Sequence, residues 1–244
     1  MKGKIYQSIS KNQSKKIALL IDPDKLKNKT IFELINLSEN ANVDFLFVGG
    51  SLVSKPIDEL IVEIKKRTKI PLILFPGSLL QLSTKLDAVL LISLISGRNA
   101  ELLIGNHVVA AHHLKNSKLE ILPTGYILID GGKTTSVEYM SNTRPIPFEK
   151  DDIAVATAIA GELLGQKLIY LDAGSGAANA VSEIMIKKVK TNISIPLIVG
   201  GGIRTALQAK SACFAGADII VVGNAFEDNI NLIQEIADAV HSIK

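Results

Sequence analysis

A chain of 244 residues with a formal charge of +3 and a single cysteine fits one large α/β domain, lacks the basic stripe a nucleic-acid partner needs, and cannot hold an internal disulfide. Hydrophobic residues make up 47% of it and aromatic ones only 5%, so the core is aliphatic, as in a parallel sheet buried on both faces. No apolar run has the length of a membrane span, and the polar start MKGKIYQSISKNQSKK lacks the hydrophobic region of a signal peptide, so a cytoplasmic protein without stable membrane insertion is expected.

Eight runs of apolar and β-branched residues bounded by turn residues read as strands. In chain order they are Lys16–Asp22, Phe45–Val48, Pro71–Phe75, Ala88–Ser93, Leu122–Ile129, Leu168–Leu171, Ile195–Val199 and Ile219–Val222. Between them Lys29–Asn40, Lys55–Arg67, Asn99–His112, Asp152–Leu164, Asn179–Val189 and Thr205–Ala215 carry apolar residues at helical spacing, and Asn229–Ile243 closes the series. The third connection is the exception, because Gly77–Leu86 is short for a helix and two turns. The count predicts a (β/α)8 TIM barrel with its third helix missing or degraded, one domain over residues 1–244. An open doubly wound sheet is the alternative, but its first-turn glycine fingerprint is absent where strand one runs into Asp22-Pro23-Asp24-Lys25. The longest connection, Ile129–Phe148, reads as a functional cover.

Polar residues and glycines gather after the strands, on the side where barrel active sites are built. Gly49-Gly50-Ser51 follow strand two, Asp130-Gly131-Gly132-Lys133 strand five and Asp172-Ala173-Gly174-Ser175-Gly176 strand six. The turns Gly200-Gly201-Gly202 and Gly223-Asn224 come after strands seven and eight. Such turns let backbone N–H groups approach an anion while the next helix presents its positive end, which points to a phosphorylated ligand. Asp22, at a strand end with Asp24 and Lys27–Thr30 left to start the next helix, is a candidate ligand for a hard cation such as Mg²⁺. Strand alternation turns Tyr170 and Asp172 the same way and Leu171 the other, giving a phenol and a carboxylate suited to gripping hydroxyls and accepting a proton. His107, His112 and His113 read as a wet helix surface, Lys65-Lys66-Arg67 as a solvated helix end, and Cys213 as a small buried apolar side chain.

Taken in order, Leu20-Ile21-Asp22-Pro23-Asp24-Lys25, Val48-Gly49-Gly50-Ser51, Pro123-Thr124-Gly125-Tyr126, Tyr170-Leu171-Asp172-Ala173-Gly174-Ser175-Gly176, Gly200-Gly201-Gly202-Ile203-Arg204 and Val222-Gly223-Asn224 resemble the geranylgeranylglyceryl phosphate synthase family. The resemblance spans nearly the whole chain. It implies a (β/α)8 barrel without its third helix and a Mg²⁺-dependent transfer of a prenyl group, geranylgeranyl or the longer heptaprenyl, from its diphosphate to the 3-hydroxyl of sn-glycerol 1-phosphate. It further implies that Asp22 and Ser51 hold Mg²⁺, that Tyr170, Leu171, Asp172, Ala173, Gly174, Ser175 and Gly176 hold the glycerol phosphate, and that Gly201, Gly202, Gly223 and Asn224 bind its phosphate. Asp172, assisted by Tyr170, is then the catalytic group. Two other functions share these turns: a phosphosugar isomerase or synthase using Lys133 as a second acid–base group, and a barrel that only binds phosphates. Self-association into a homo-oligomer is expected from the apolar composition.

Overall fold

The computed structural model describes residues 3–11 and 14–243. Eight parallel strands close into a barrel in sequence order, with the last hydrogen-bonded to the first. They are β1 (Lys16–Ile21), β2 (Phe45–Val48), β3 (Leu72–Leu74), β4 (Ala88–Leu94), β5 (Glu120–Leu128), β6 (Leu168–Asp172), β7 (Leu197–Gly200) and β8 (Ile219–Val222). The helices in chain order are α1 (Lys4–Ser10), α2 (Asn28–Asn40), α3 (Asp58–Lys65), α4 (Asn106–Asn116), α5 (Ser136–Ser141), α6 (Asp151–Leu163), α7 (Glu183–Asn192), α8 (Ala206–Ala215), α9 (Asn224–Asp228) and α10 (Leu232–His241).

Alternation along each strand splits the apolar residues between two cores. Ile17, Leu19 and Ile21 of β1 face the helices, as do Ile169 and Leu171 of β6 and Ile220 and Val222 of β8. Ala18, Leu168, Tyr170, Ile219 and Val221 fill the barrel instead. Fully burying one such aliphatic side chain is worth about 1.5–3 kcal/mol, so both layers hold the closure. Helix α1, which the sequence pattern did not reveal, stops the lower end: its Ile5 and Ile9 join the interior cluster. The Glu120 carboxylate accepts the Ile5 and Tyr6 N–H groups at 3.0 and 2.8 Å, satisfying donors that a first helical turn leaves open. The opposite end stays open.

Between β3 and β4 stands only a 3₁₀ turn, Leu79–Gln81, so the third helix is absent. The segment expected as one helix over Asn99–His112 begins instead with a π-helical turn, Glu101–Gly105, before α4. Cys213 is buried on α8, and burial pushes its thiol up to about 12, as a packing residue requires. Lys65, Lys66 and Arg67 are exposed at the end of α3, where they pair with Asp87 and Glu63. Among the described residues no helix is long and apolar enough to cross a membrane.

Candidate active site

A cavity of about 660 Å³ opens at the C-terminal ends of the strands. Its lining is polar around the turns after β1, β6, β7 and β8 and largely apolar along β4, the 3₁₀ turn and α4. Asp22, Ser51, Tyr170, Asp172, Ser175, Gly176, Gly201, Gly202, Gly223 and Asn224 all line it. Leu171 does not, because alternation turns it into the outer core. Ala173 is likewise buried in that core, and its N–H serves the Gly200 carbonyl. Gly174 contributes from behind, donating its N–H to Asp172 Oδ1 at 2.6 Å. Lys133 is exposed and lies away from the cavity.

Asp172 is 6% exposed and lines this cavity. Parallel pairing places Leu128 opposite Asp172 and Tyr126 opposite Tyr170, so Tyr126 reaches along the interior and donates its O–H to Asp172 Oδ2 at 2.7 Å. Burial raises the Asp172 carboxyl above the ordinary carboxylate range, against the opposing pull of the Tyr126 O–H and the Gly174 N–H. Burial also pushes both phenols well above their usual value, with the Asp172 charge adding to it, so Tyr126 and Tyr170 stay neutral donors. Tyr170 lies 5.5 Å, centroid to centroid, from a stacked Phe75 and 5.2 Å from an edge-on Tyr126.

The glycine pair after β7 allows this carboxylate its place. Gly201 and Gly202 have φ of +76° and +73°, a region that costs an L-residue about 1–2 kcal/mol. A Cβ on Gly201 would fall 2.5 Å from both Asp172 Oδ1 and the Gly174 nitrogen. On the adjoining wall, Asn224 Oδ1 accepts the Ser175 hydroxyl at 2.7 Å and the Gly176 N–H at 3.1 Å, knitting the turns after β6 and β8 into one polar pocket. Helix α9 follows Gly223 with no side-chain cap, whereas Thr205 and Gln208 already close the start of α8 as a capping box.

The two carboxylates of the Asp-Pro-Asp-Lys run have separate tasks. Asp24 does not cap α2, as the sequence suggested; Lys27 stands at that position without a side-chain cap. Its Oδ2 accepts the Ser54 N–H and hydroxyl at 2.6 and 2.8 Å, latching the loop after β2, and these bonds hold its carboxyl below the usual range. Asp22 faces the cavity with a side chain 13% exposed, its Oδ1 accepting the Asp24 N–H at 3.0 Å. A Cβ on Gly50 would fall 2.8 Å from Asp22 Oδ2, so that glycine makes room for the carboxylate. Among the described residues no group of three or more His, Cys, Asp or Glu is placed to hold a metal ion. One carboxylate and the neighbouring Ser51 hydroxyl are a hard-oxygen donor set that fits Mg²⁺, an ion that takes one or two carboxylates and completes its shell with water and substrate phosphate.

Along β4 and α4 the lining turns largely apolar. Val89 and Leu91, on the helix-facing side of β4, line the cavity together with Leu79, Leu82, Ala110 and Leu114. The missing third helix leaves that strand face uncovered, and the cavity follows it between the 3₁₀ turn and α4. The long connection after β5 covers the mouth through α5, with Val137 and Met140 on the wall, and a parallel bridge from Ile129 to Ile146 pins its two ends. His107 is no surface residue: half-buried on the cavity wall, its Nε2 lies 2.8 Å from the Ile92 carbonyl oxygen, while His112 and His113 are exposed. Gln81, which sequence inspection passed over, is buried and donates to the Gly50 carbonyl at 2.9 Å while accepting the Gly77 N–H at 3.1 Å. A lone amide among leucines was the available signal.

Fold and site together define a (β/α)8 barrel enzyme whose cavity at the strand ends joins a polar mouth to an apolar channel. The model of the PcrB family matches residues 9–240. A geranylgeranylglyceryl phosphate synthase from Chitinophaga pinensis is 53% identical, covering 99% of this chain and 98% of that protein. One from Spirosoma linguale is 49% identical over 93% and 91%. Among solved structures, (S)-3-O-geranylgeranylglyceryl phosphate synthase from Thermoplasma acidophilum in complex with its substrate sn-glycerol-1-phosphate superposes with a TM-score of 0.93 at 33% identity, covering 100% of both chains. The chain belongs to the PcrB family, among the prenyltransferases named geranylgeranylglyceryl phosphate synthase.

Proposed function

We propose that this protein transfers a prenyl group, geranylgeranyl by its relatives' name, from the prenyl diphosphate to the 3-hydroxyl of sn-glycerol 1-phosphate, with Mg²⁺ as cofactor. The observation that carries the reading is one cavity lined by the polar turns, by an apolar strand face and by the buried Asp172 carboxylate. A phosphosugar enzyme has no use for the channel.

In this reading the glycerol phosphate lies in the pocket of Ser175, Gly176, Gly201, Gly202, Gly223 and Asn224. Its 3-hydroxyl then meets Asp172, which accepts the proton as the C–O bond forms. The raised carboxyl suits that task, since a more basic acceptor takes the proton more readily. Tyr126 holds Asp172 in position, and the neutral Tyr170 phenol orients the acceptor beside it. Asp22 and Ser51 would hold Mg²⁺, which when bound neutralises charge on the leaving diphosphate. As the allylic C–O bond to the diphosphate weakens and the diphosphate leaves, positive charge grows on the allylic carbon, and the Phe75, Tyr126 and Tyr170 rings, which line the same cavity, would offset it. Val89, Leu91, Ala110 and Leu114 would enclose the hydrocarbon and keep water from the reacting carbon.

The test is incubation with radiolabelled sn-glycerol 1-phosphate, Mg²⁺ and prenyl diphosphates of increasing length, followed by butanol extraction. Label should enter the organic phase, the preferred donor should separate the geranylgeranyl from the heptaprenyl type, and chelation of Mg²⁺ should abolish transfer. No extractable label with any donor refutes the proposal.

A further inference from the structure

The loop after β1 carries a cation that the scheme above leaves without a task. Lys25 Nζ donates to Ser175 Oγ at 2.9 Å, and it lies 3.8 Å from Asp22 Oδ2. These partners belong to different turns of the cavity mouth, one after β1 and one after β6. Asp22 stands with Ser51 at the cation site, and Ser175 stands with Gly176 and Asn224 in the anion pocket. One ammonium thus spans the two half-sites. Resting on the prenyl-transfer reading, we infer that Lys25 bridges the two anionic substrates, contacting the phosphate of the acceptor and the diphosphate of the donor at once, and so couples their binding.

The charge arrangement supports this assignment. Asp22, Asp24 and Asp172 bring negative charge to the cavity wall, and the reaction adds a phosphate monoester and a diphosphate side by side. Among the described residues on that wall, Lys25 and Arg204 carry fixed positive charge. The Arg204 guanidinium donates to the Ala177 and Ala178 carbonyls at 2.5 and 3.4 Å, whereas the Lys25 ammonium reaches a turn of each half-site. A lysine also suits a bridge better than an arginine, as a compact charge with three donors on a flexible stem. Its side chain is 39% exposed, so the ammonium can swing without disturbing the core. When it leaves Ser175 for a phosphate, the freed hydroxyl is available to the same anion. By thermodynamic reciprocity, whatever Lys25 adds to acceptor binding in the presence of the diphosphate it adds equally to diphosphate binding in the presence of the acceptor.

The experiment is calorimetric titration of the full chain with sn-glycerol 1-phosphate, with and without saturating inorganic pyrophosphate and Mg²⁺, for wild type, Lys25→Met and Lys25→Arg. No turnover is involved. In the wild type, pyrophosphate should leave acceptor affinity within about threefold or tighten it. In Lys25→Met the two anions should repel, and pyrophosphate should weaken acceptor binding by about tenfold or more, a coupling of ordinary allosteric size. Lys25→Arg should restore part of the loss, which separates the charge from the shape of the stem. If Lys25→Met shows the wild-type response to pyrophosphate, or loses acceptor affinity equally with and without it, the bridge is refuted. A wild type that takes up neither anion refutes the prenyl-transfer reading itself.

Discussion

Replacing Asp172 by Asn subtracts a charge and a proton acceptor while leaving the local hydrogen bonds whole. Oδ1 can still accept the Gly174 N–H, now 2.6 Å away, and the new amide can donate to the Tyr126 oxygen, which turns from donor to acceptor. The fold is therefore retained. Loss of a positioned general base costs about 10²–10⁴ in rate. That corresponds to roughly 3–5 kcal/mol on the barrier at about 1.4 kcal/mol per factor of ten. Stability should move the other way. The folded-state carboxyl is raised by burial, so the unfolded chain ionises first as pH rises. The stability at stake is fully present below about pH 4, the ordinary carboxylate value, and is lost as pH climbs through the folded value. At pH 8 the Asn variant should therefore melt at or above the wild type, and the advantage should vanish near pH 4. Single-turnover label transfer and thermal melts at both pH values measure the two effects. Turnover within tenfold of wild type would falsify the assignment of Asp172 as proton acceptor, and a pH-independent melting difference would contradict the buried, raised carboxyl.

Tyr126→Phe removes the O–H that holds the Asp172 carboxyl down, so the acidic limb of kcat/KM should move to higher pH, with activity largely recovered above it; an unmoved limb means Tyr126 only packs. Gly201→Ala should cost about 1–2 kcal/mol for the positive φ alone. It should also lower kcat at least tenfold, because the new Cβ lands on Asp172 Oδ1 and the Gly174 nitrogen; wild-type melting and turnover together would show that the turn relaxes freely.

The eight strands, the absent third helix and the glycine turns were legible along the chain because each rests on local chemistry: short apolar, β-branched runs, connection length, and turns that follow directly on buried strands. Tyr170 and Asp172 sharing a face followed from alternation alone, and the same rule, applied fully, would have withdrawn Leu171. The helix at the N-terminus escaped notice because its two buried isoleucines sit among polar residues and make sense only against the barrel floor.

What the sequence by itself determined is the order of the elements and the ring of polar residues that ends them, since each is dictated by neighbours a few positions away. Only the tertiary structure decided which members of that ring meet. Tyr126 reaches Asp172 across 46 positions because β5 and β6 pair in one register, and a slip of one residue would turn the phenol away. Lys25 meets Ser175 across 150 positions because closure of the barrel brings the first and sixth turns to one mouth. His107 and Gln81 became cavity and loop-tying residues for the same reason: a missing helix leaves a strand face uncovered, and what lines the gap depends on packing in three dimensions.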